Sequence, residues 1–102
     1  MDQVYVFRHD EGVRIEGRGR LINIILRSVE SYGRYRIARL EVKGLEGLTE
    51  ILISNVKISV DLPDGIKVGL PKSDRPLRRN SVRLFFSAPD GYTISQPMPY
   101  QD

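Results

Sequence analysis

The chain has 102 residues, of which 40% are hydrophobic and 28% charged, and its net charge is +3. This length predicts one domain with a modest core, because small domains bury a smaller share of their surface. The absence of cysteine excludes disulfides and thiolate chemistry, and no apolar run approaches the roughly 20 residues of a membrane span. The first residues show no signal-peptide pattern, so we expect a cytoplasmic protein that does not enter a membrane.

Apolar and polar residues alternate along most of the chain, which is the period of half-exposed β-strands. The predicted strands, in chain order, are 3–8, 13–17, 21–30, 34–43, 48–60, 66–70, 81–87 and 92–95. The short turns between them predict an N-terminal hairpin (3–17), a central sheet (21–70), a basic loop (71–81), a C-terminal hairpin (82–95) and a tail (96–102). No segment shows an apolar stripe at helical spacing.

The longest predicted strand, 48–60, changes its apolar phase in the middle. Ile51 and Ile53 occupy odd positions, whereas the next apolar residues occupy even ones: Val56, Ile58 and Val60. A strand with one buried face cannot change parity without an extra residue or a bend. We therefore predict a bulge or kink at Ser54–Asn55. The fold class predicted is mostly β: a small single-domain antiparallel sheet, or a partly open barrel, of about seven to eight short strands.

Residues suited to catalysis are sparse. His9 is the only histidine and lies beside Asp10 and Glu11 in a predicted turn, a pattern typical of solvated loops. Without cysteine or a second histidine the usual transition-metal ligand sets are absent. A Ser-His-acid triad would depend on His9 alone. The sequence therefore predicts a protein that is not an enzyme and needs no cofactor.

The strongest functional pattern is the segment GLPKSDRPLRRNSVRLFF, residues 69–86. Its bases are Lys72, Arg75, Arg78, Arg79 and Arg83, and the only acid among them is Asp74. The interval 72–83 thus carries +4, which leaves about −1 for the rest of the chain. Arginine suits bidentate contact with phosphate, and Pro71 and Pro76 restrict the loop, so that less entropy is lost on binding. The pattern predicts a phosphate-contacting, nucleic-acid-binding loop, with DNA favoured over RNA.

A second basic group lies on the predicted fourth strand. Its bases are Arg34, Arg36 and Arg39, and two aromatic residues, Tyr32 and Tyr35, lie beside them. Rings next to guanidinium groups provide the stacking and phosphate contacts that single-stranded nucleic acid uses. We therefore include these residues in the predicted binding surface.

Three consecutive segments in the middle of the chain form a further pattern: INIILRSVESYGRYRIARLEV (22–42), LTEILISNVKI (48–58) and DGIKVGLPKSDRP (64–76). In order and spacing, over roughly 55 residues, they resemble the stage V sporulation protein G (SpoVG, septation regulator) family. The resemblance implies a small, dimeric regulator that binds nucleic acid, with Lys72, Arg75, Arg78 and Arg79 in or just after the family's basic loop. The family continues with a C-terminal helix, whereas this chain continues with a predicted hairpin and adds another at its start.

An alternative function remains open. The same basic loop, or the edges of the sheet, would suit a viral or accessory interaction module that docks on an acidic protein. In either case we expect a homodimer, because a small β domain has exposed edges and limited core that pairing between copies would cover.

Overall fold

The computed structural model describes residues 2–33, 35–54, 56–71 and 82–96, with only the backbone described at Tyr35. Nine strands are present in these residues: β1 (Asp2–Phe7), β2 (Gly12–Gly17), β3 (Arg20–Tyr32), β4 (Tyr35–Lys43), β5 (Glu50–Ser54), β6 (Ser59–Asp61), β7 (Lys67–Gly69), β8 (Val82–Ser87) and β9 (Tyr92–Ser95). A single turn of 3-10 helix spans Pro63–Gly65. Across these described ranges no helix has the length and apolar character needed to cross a membrane.

The strands form two open antiparallel sheets. The four-stranded sheet has the order β1-β8-β7-β6, and the five-stranded sheet has the order β5-β4-β3-β2-β9. Buried apolar side chains from both sheets belong to one core cluster. The predicted mostly-β antiparallel class is therefore confirmed, as two sheets that share a core.

The alternation in the sequence accounts for the burial in each strand. On β4, Ala38, Leu40 and Val42 are buried, whereas Arg39 and Glu41 on the other face are partly exposed. The four-stranded sheet contributes a group of rings to the core: Phe7 and Phe86 meet edge to face, with centroids 5.7 Å apart, and Tyr5 lies 6.2 Å from each of them. Burial of these apolar side chains is the main stabilising contribution to the fold.

Three of the predicted structural units are wrong. The hairpin over 3–17 does not exist, because β1 pairs with β8 while β2 pairs with β3 and β9. The hairpin over 82–95 is also absent, since β8 and β9 lie in different sheets. The central sheet over 21–70 is divided between the two sheets after β5. In each case a short loop carries the chain from one sheet to the other, and alternation alone does not specify a strand's partner.

The predicted bulge or kink at Ser54–Asn55 is confirmed only as a break in the strand, since β5 has no bulge among its described residues and Asn55 itself lies outside the described residues. β5 ends at Ser54, whose backbone N–H donates to the Lys57 carbonyl at 3.0 Å. The Ser54 hydroxyl accepts from the N–H groups of Val56 (3.2 Å) and Lys57 (2.9 Å). The chain then enters β6 in the other sheet, which divides the predicted long strand in two and raises the strand number to nine.

The predicted burial of the even-numbered side chains after this turn is largely wrong. Val56 and Ile58 are 70% and 56% exposed, and only Val60 packs against the core. A register shift typical of a bulge is present in the described strands, but it lies in the pairing of β3 with β4, between Leu26 and Ser28.

Candidate nucleic-acid interface

The basic loop is attached at one end of the four-stranded sheet. In the strand register Phe7 lies opposite Val82, Gly69 lies opposite Phe85, and Ser59 lies opposite Gly69. The end of β1, the start of β6, the end of β7 and the start of β8 therefore lie together, and we call this the loop end of the sheet. The strands that precede and follow residues 72–81, β7 and β8, are neighbours, so both attachment points of the loop are at this end.

Exposed bases of the described chain lie at the loop end, among them Arg8, which directly follows β1. Arg83 is the second residue of β8 and points to the outer face, opposite Val6 on β1. Lys57 lies in the turn that precedes β6 and is also exposed. Neither forms an ion pair with an acid of the described residues, so their charges add to that of the loop.

The opposite end of the four-stranded sheet carries acids. Asp61 lies opposite Lys67, with Oδ1 and Nζ 3.8 Å apart. Asp64 accepts a hydrogen bond from the Tyr92 hydroxyl, which lowers the pKa of the carboxyl group. Arg18 Nη1 lies 3.6 Å from Asp64 Oδ2. The guanidinium carbon of Arg18 lies over the Tyr92 ring, 5.3 Å from the ring centroid. At this end Lys67 and Arg18 thus each lie beside an acid, whereas at the loop end Arg83 and Lys57 have no acid partner among the described residues.

Arg39, a predicted binding residue, is held by two carboxylates on the outer face of the five-stranded sheet. Its Nη1 donates to Glu50 at 2.8 Å and its Nη2 to Glu30 at 3.3 Å, and these bonds raise the pKa of Arg39. Tyr32 joins the group, because its hydroxyl donates to the same Glu30 oxygen at 3.1 Å. The Arg39 charge is therefore compensated within the sheet.

The second predicted basic group is divided between two faces. Arg36 and Arg39 are three residues apart on β4, so their side chains leave on opposite faces of the strand. Arg36 is exposed and lies opposite Ser31, while Tyr32 is 58% exposed and lies opposite the backbone of Tyr35. The structure thus brings Tyr32 and Arg39 together through Glu30, and it places Arg36 apart from them.

The tip of the β3–β4 hairpin points to the same end of the molecule as the basic loop. β2 begins at Gly12, after the turn that follows Phe7, and Gly12 pairs with Ile25. The part of β3 beyond Ile25 therefore extends past the start of β2, with β4 beside it up to the Tyr32–Tyr35 pair. Tyr32 is an exposed aromatic residue at this tip.

Other charges on the five-stranded sheet form a second interlocked group. Arg27 donates to Asp10 at 2.6 Å and to Glu41 at 3.1 Å, and Lys43 lies 3.6 Å from Glu41. The hydrogen bond from Arg27 is the largest cause of the lowered pKa of both carboxyl groups. Arg27, Arg39 and Lys43 are thus paired with acids, whereas Arg14 on β2 is exposed without an acid partner among the described residues.

Several predicted residues lie outside the described residues: Arg34, Lys72, Arg75, Arg78 and Arg79. Of the predicted binding residues, Arg83 is the described base that lies at the loop end. Lys57 was missed by sequence reasoning, because its place beside Arg83 depends on the pairing of β6 with β7 and of β7 with β8. His9 is exposed, with Nδ1 2.9 Å from Asp10 Oδ2, and the described part of the chain contains no cluster of three metal-ligating side chains.

Comparison of the chain with protein-family models, with curated proteins and with solved structures gives no significant match. The resemblance to the SpoVG family therefore stays a prediction from the sequence.

Proposed function

We propose that the protein is a nucleic-acid-binding regulatory module, with DNA preferred to RNA, that contacts phosphates at the loop end of the four-stranded sheet. The observation that carries the proposal is the strand register, which places Arg83 and Lys57 where the Arg-rich loop is attached. In this proposal they act with the loop residues Lys72, Arg75, Arg78 and Arg79. The regulatory role rests on the SpoVG resemblance.

The charge distribution supports a phosphate-directed mode of binding. Arg83 and Lys57, which have no acid partner among the described residues, add to the charge of the basic segment, and this concentration of positive charge attracts a polyanion to the loop end. Arginine and lysine contacts to phosphate position a protein but do not read sequence, so binding in this mode is nearly independent of sequence. The exposed ring of Tyr32, at the hairpin tip, provides a stacking surface for an unpaired base.

The test is the salt dependence of binding to a random-sequence duplex. If about four phosphates are neutralised per protomer, the slope of log affinity against log salt is near −3.6, and affinity falls roughly a hundredfold between about 50 and 200 mM salt. Replacement of Arg78 and Arg79 together by alanine is expected to reduce the slope by about 2.

The matched control is the pair Arg39→Ala and Lys43→Ala, which removes the same charge from the five-stranded sheet. We expect this variant to keep the wild-type slope, because both bases are paired with acids. Equal slopes for the loop variant and the wild type would show that the loop is not the contact surface.

A second candidate function is docking on an acidic protein through the same loop end. The observation that favours it is the exposure of Val56 and Ile58 on either side of Lys57, because protein interfaces combine an apolar centre with a charged rim. Absence of binding to single- and double-stranded oligonucleotides at about 50 mM salt, where phosphate contacts are strongest, would leave this second function in place of the first.

A further inference from the structure

β1 is the longest edge strand of the described chain. β1 has six residues and pairs only with β8. Val4 and Val6 on its outer face are 49% and 50% exposed. The edge strands β6 and β9 have only three and four residues, and short edges are a common protection against pairing between molecules. β1 lacks that protection.

The backbone groups of Val4 and Val6 point toward this free edge. The Val6 carbonyl accepts a hydrogen bond at 3.2 Å from Gln96, which follows β9 of the other sheet, so it is directed away from β8. Alternate residues of an antiparallel strand direct both their N–H and C=O groups to the same side. The N–H and C=O groups of Val4 therefore share the side of those of Val6.

The side chains along this edge are self-complementary in one register. If a second copy lies antiparallel to β1 with the two-fold axis at Tyr5, Val4 faces Val6 of the second copy and Asp2 faces Arg8 of the second copy. Val4 and Val6 then form the hydrogen-bonded pairs, which matches the direction of their backbone groups. An axis at Val4 instead would place Asp2 opposite Val6, with no opposite charge to meet it.

We propose that two copies of the chain pair through β1 in this register, so that the four-stranded sheets of both copies become one continuous sheet. The four valines form an apolar strip on its outer face, extended by the partly buried Phe85, which lies opposite Val4 on β8. The two Asp2–Arg8 pairs close the ends of the strip. The bond from Gln96 to Val6 is exchanged for a strand-to-strand hydrogen bond.

The sharpest test is a single cysteine placed on the two-fold axis. The chain contains no cysteine, so a Tyr5→Cys variant oxidises to a covalent dimer only if residue 5 meets its copy. In the proposed register residue 5 forms a non-hydrogen-bonded pair, with Cα atoms about 4.5 Å apart, which suits a disulfide. We expect a disulfide-linked dimer on a non-reducing gel. The control is Leu52→Cys, an exposed position on β5, the longer edge of the other sheet, which is expected to stay monomeric on the gel.

A charge exchange tests the register without changing Tyr5. Asp2→Arg or Arg8→Asp alone places like charges opposite each other twice per dimer, and we expect the dissociation constant to rise about tenfold. The double variant is expected to restore wild-type association in sedimentation, measured without nucleic acid. A wild-type monomer of 11.7 kDa at tens of micromolar would overturn the proposal, as would covalent dimers from Leu52→Cys but not from Tyr5→Cys. An unchanged dissociation constant in both single variants would overturn the register.

Discussion

The two sheets use their charges differently. On the outer face of the five-stranded sheet, Arg27 and Arg39 each bridge two carboxylates. At the loop end of the four-stranded sheet, Arg83 and Lys57 lie without an acid partner among the described residues. Arginines of similar appearance in the sequence thus differ in their surroundings: Arg27 and Arg39 each lie between two acids, whereas Arg83 has no acid partner among the described residues.

The largest effect on stability is expected from a substitution in the core. The comparison of the two sheets depends on this core, because both faces must belong to one folded unit. Phe86 is fully buried in the four-stranded sheet and belongs to the cluster that both sheets share. We expect Phe86→Ala to lower the free energy of unfolding by about 3–5 kcal/mol. Urea unfolding followed by far-UV circular dichroism and by tyrosine fluorescence measures this loss.

A milder variant keeps this prediction testable if the alanine variant does not fold. Phe86→Leu leaves a smaller void, and its loss is expected to be about 1–2 kcal/mol. Both probes are expected to report one coincident transition. Two separate transitions would show that the sheets unfold independently, and would remove the basis for comparing their faces within one unit.

Alternation predicted most of the strands and the buried face of β4, with Ala38, Leu40 and Val42, but not the exposure of Val56 and Ile58. It did not predict partners, because the same pattern suits either sheet, and so β1 was assigned to β2 instead of β8. The neighbours of the site residues likewise depend on strand pairing, which alternation does not predict. Arg83 was predicted from its place in the basic segment, whereas Lys57 joins it only through the pairing of β6, β7 and β8, and the acids that hold Arg39 come from neighbouring strands.

A smaller effect is expected from the ion pairs of the five-stranded sheet. The hydrogen bonds from Arg27 lower the pKa of Asp10 and Glu41 below their ordinary values of 3.8 and 4.5. A carboxyl group whose pKa is lower in the folded state stabilises the fold above its unfolded pKa and loses that contribution as the pH falls through the folded value. The free energy of unfolding is therefore expected to decrease as the pH falls below about 4.5.

The Arg27→Gln variant isolates this contribution. At neutral pH we expect it to cost at most about 1 kcal/mol, the scale of partly exposed ion pairs, and its stability is expected to fall less steeply with acid than that of the wild type. Urea unfolding at several pH values compares the two proteins. If the free energies of unfolding of the two proteins fall in parallel as the pH decreases, Arg27 is not the cause of the pH dependence of stability. The variant is also expected to keep wild-type affinity for nucleic acid, since Arg27 belongs to the paired face.

The most direct test of the central claim, that the loop end of the four-stranded sheet is the phosphate-binding surface, is a titration of the isotope-labelled protein with a short DNA duplex at low salt, followed by NMR. The account predicts that the largest amide shifts fall on Lys57, Arg83 and the residues between Pro71 and Val82, with small shifts at Arg39 and Glu41. In a Lys57→Gln and Arg83→Gln double variant the shifts are expected to weaken, without loss of stability beyond about 0.5 kcal/mol. Shifts concentrated on the outer face of β3, β4 and β5 instead, and unchanged in the double variant, would contradict the account.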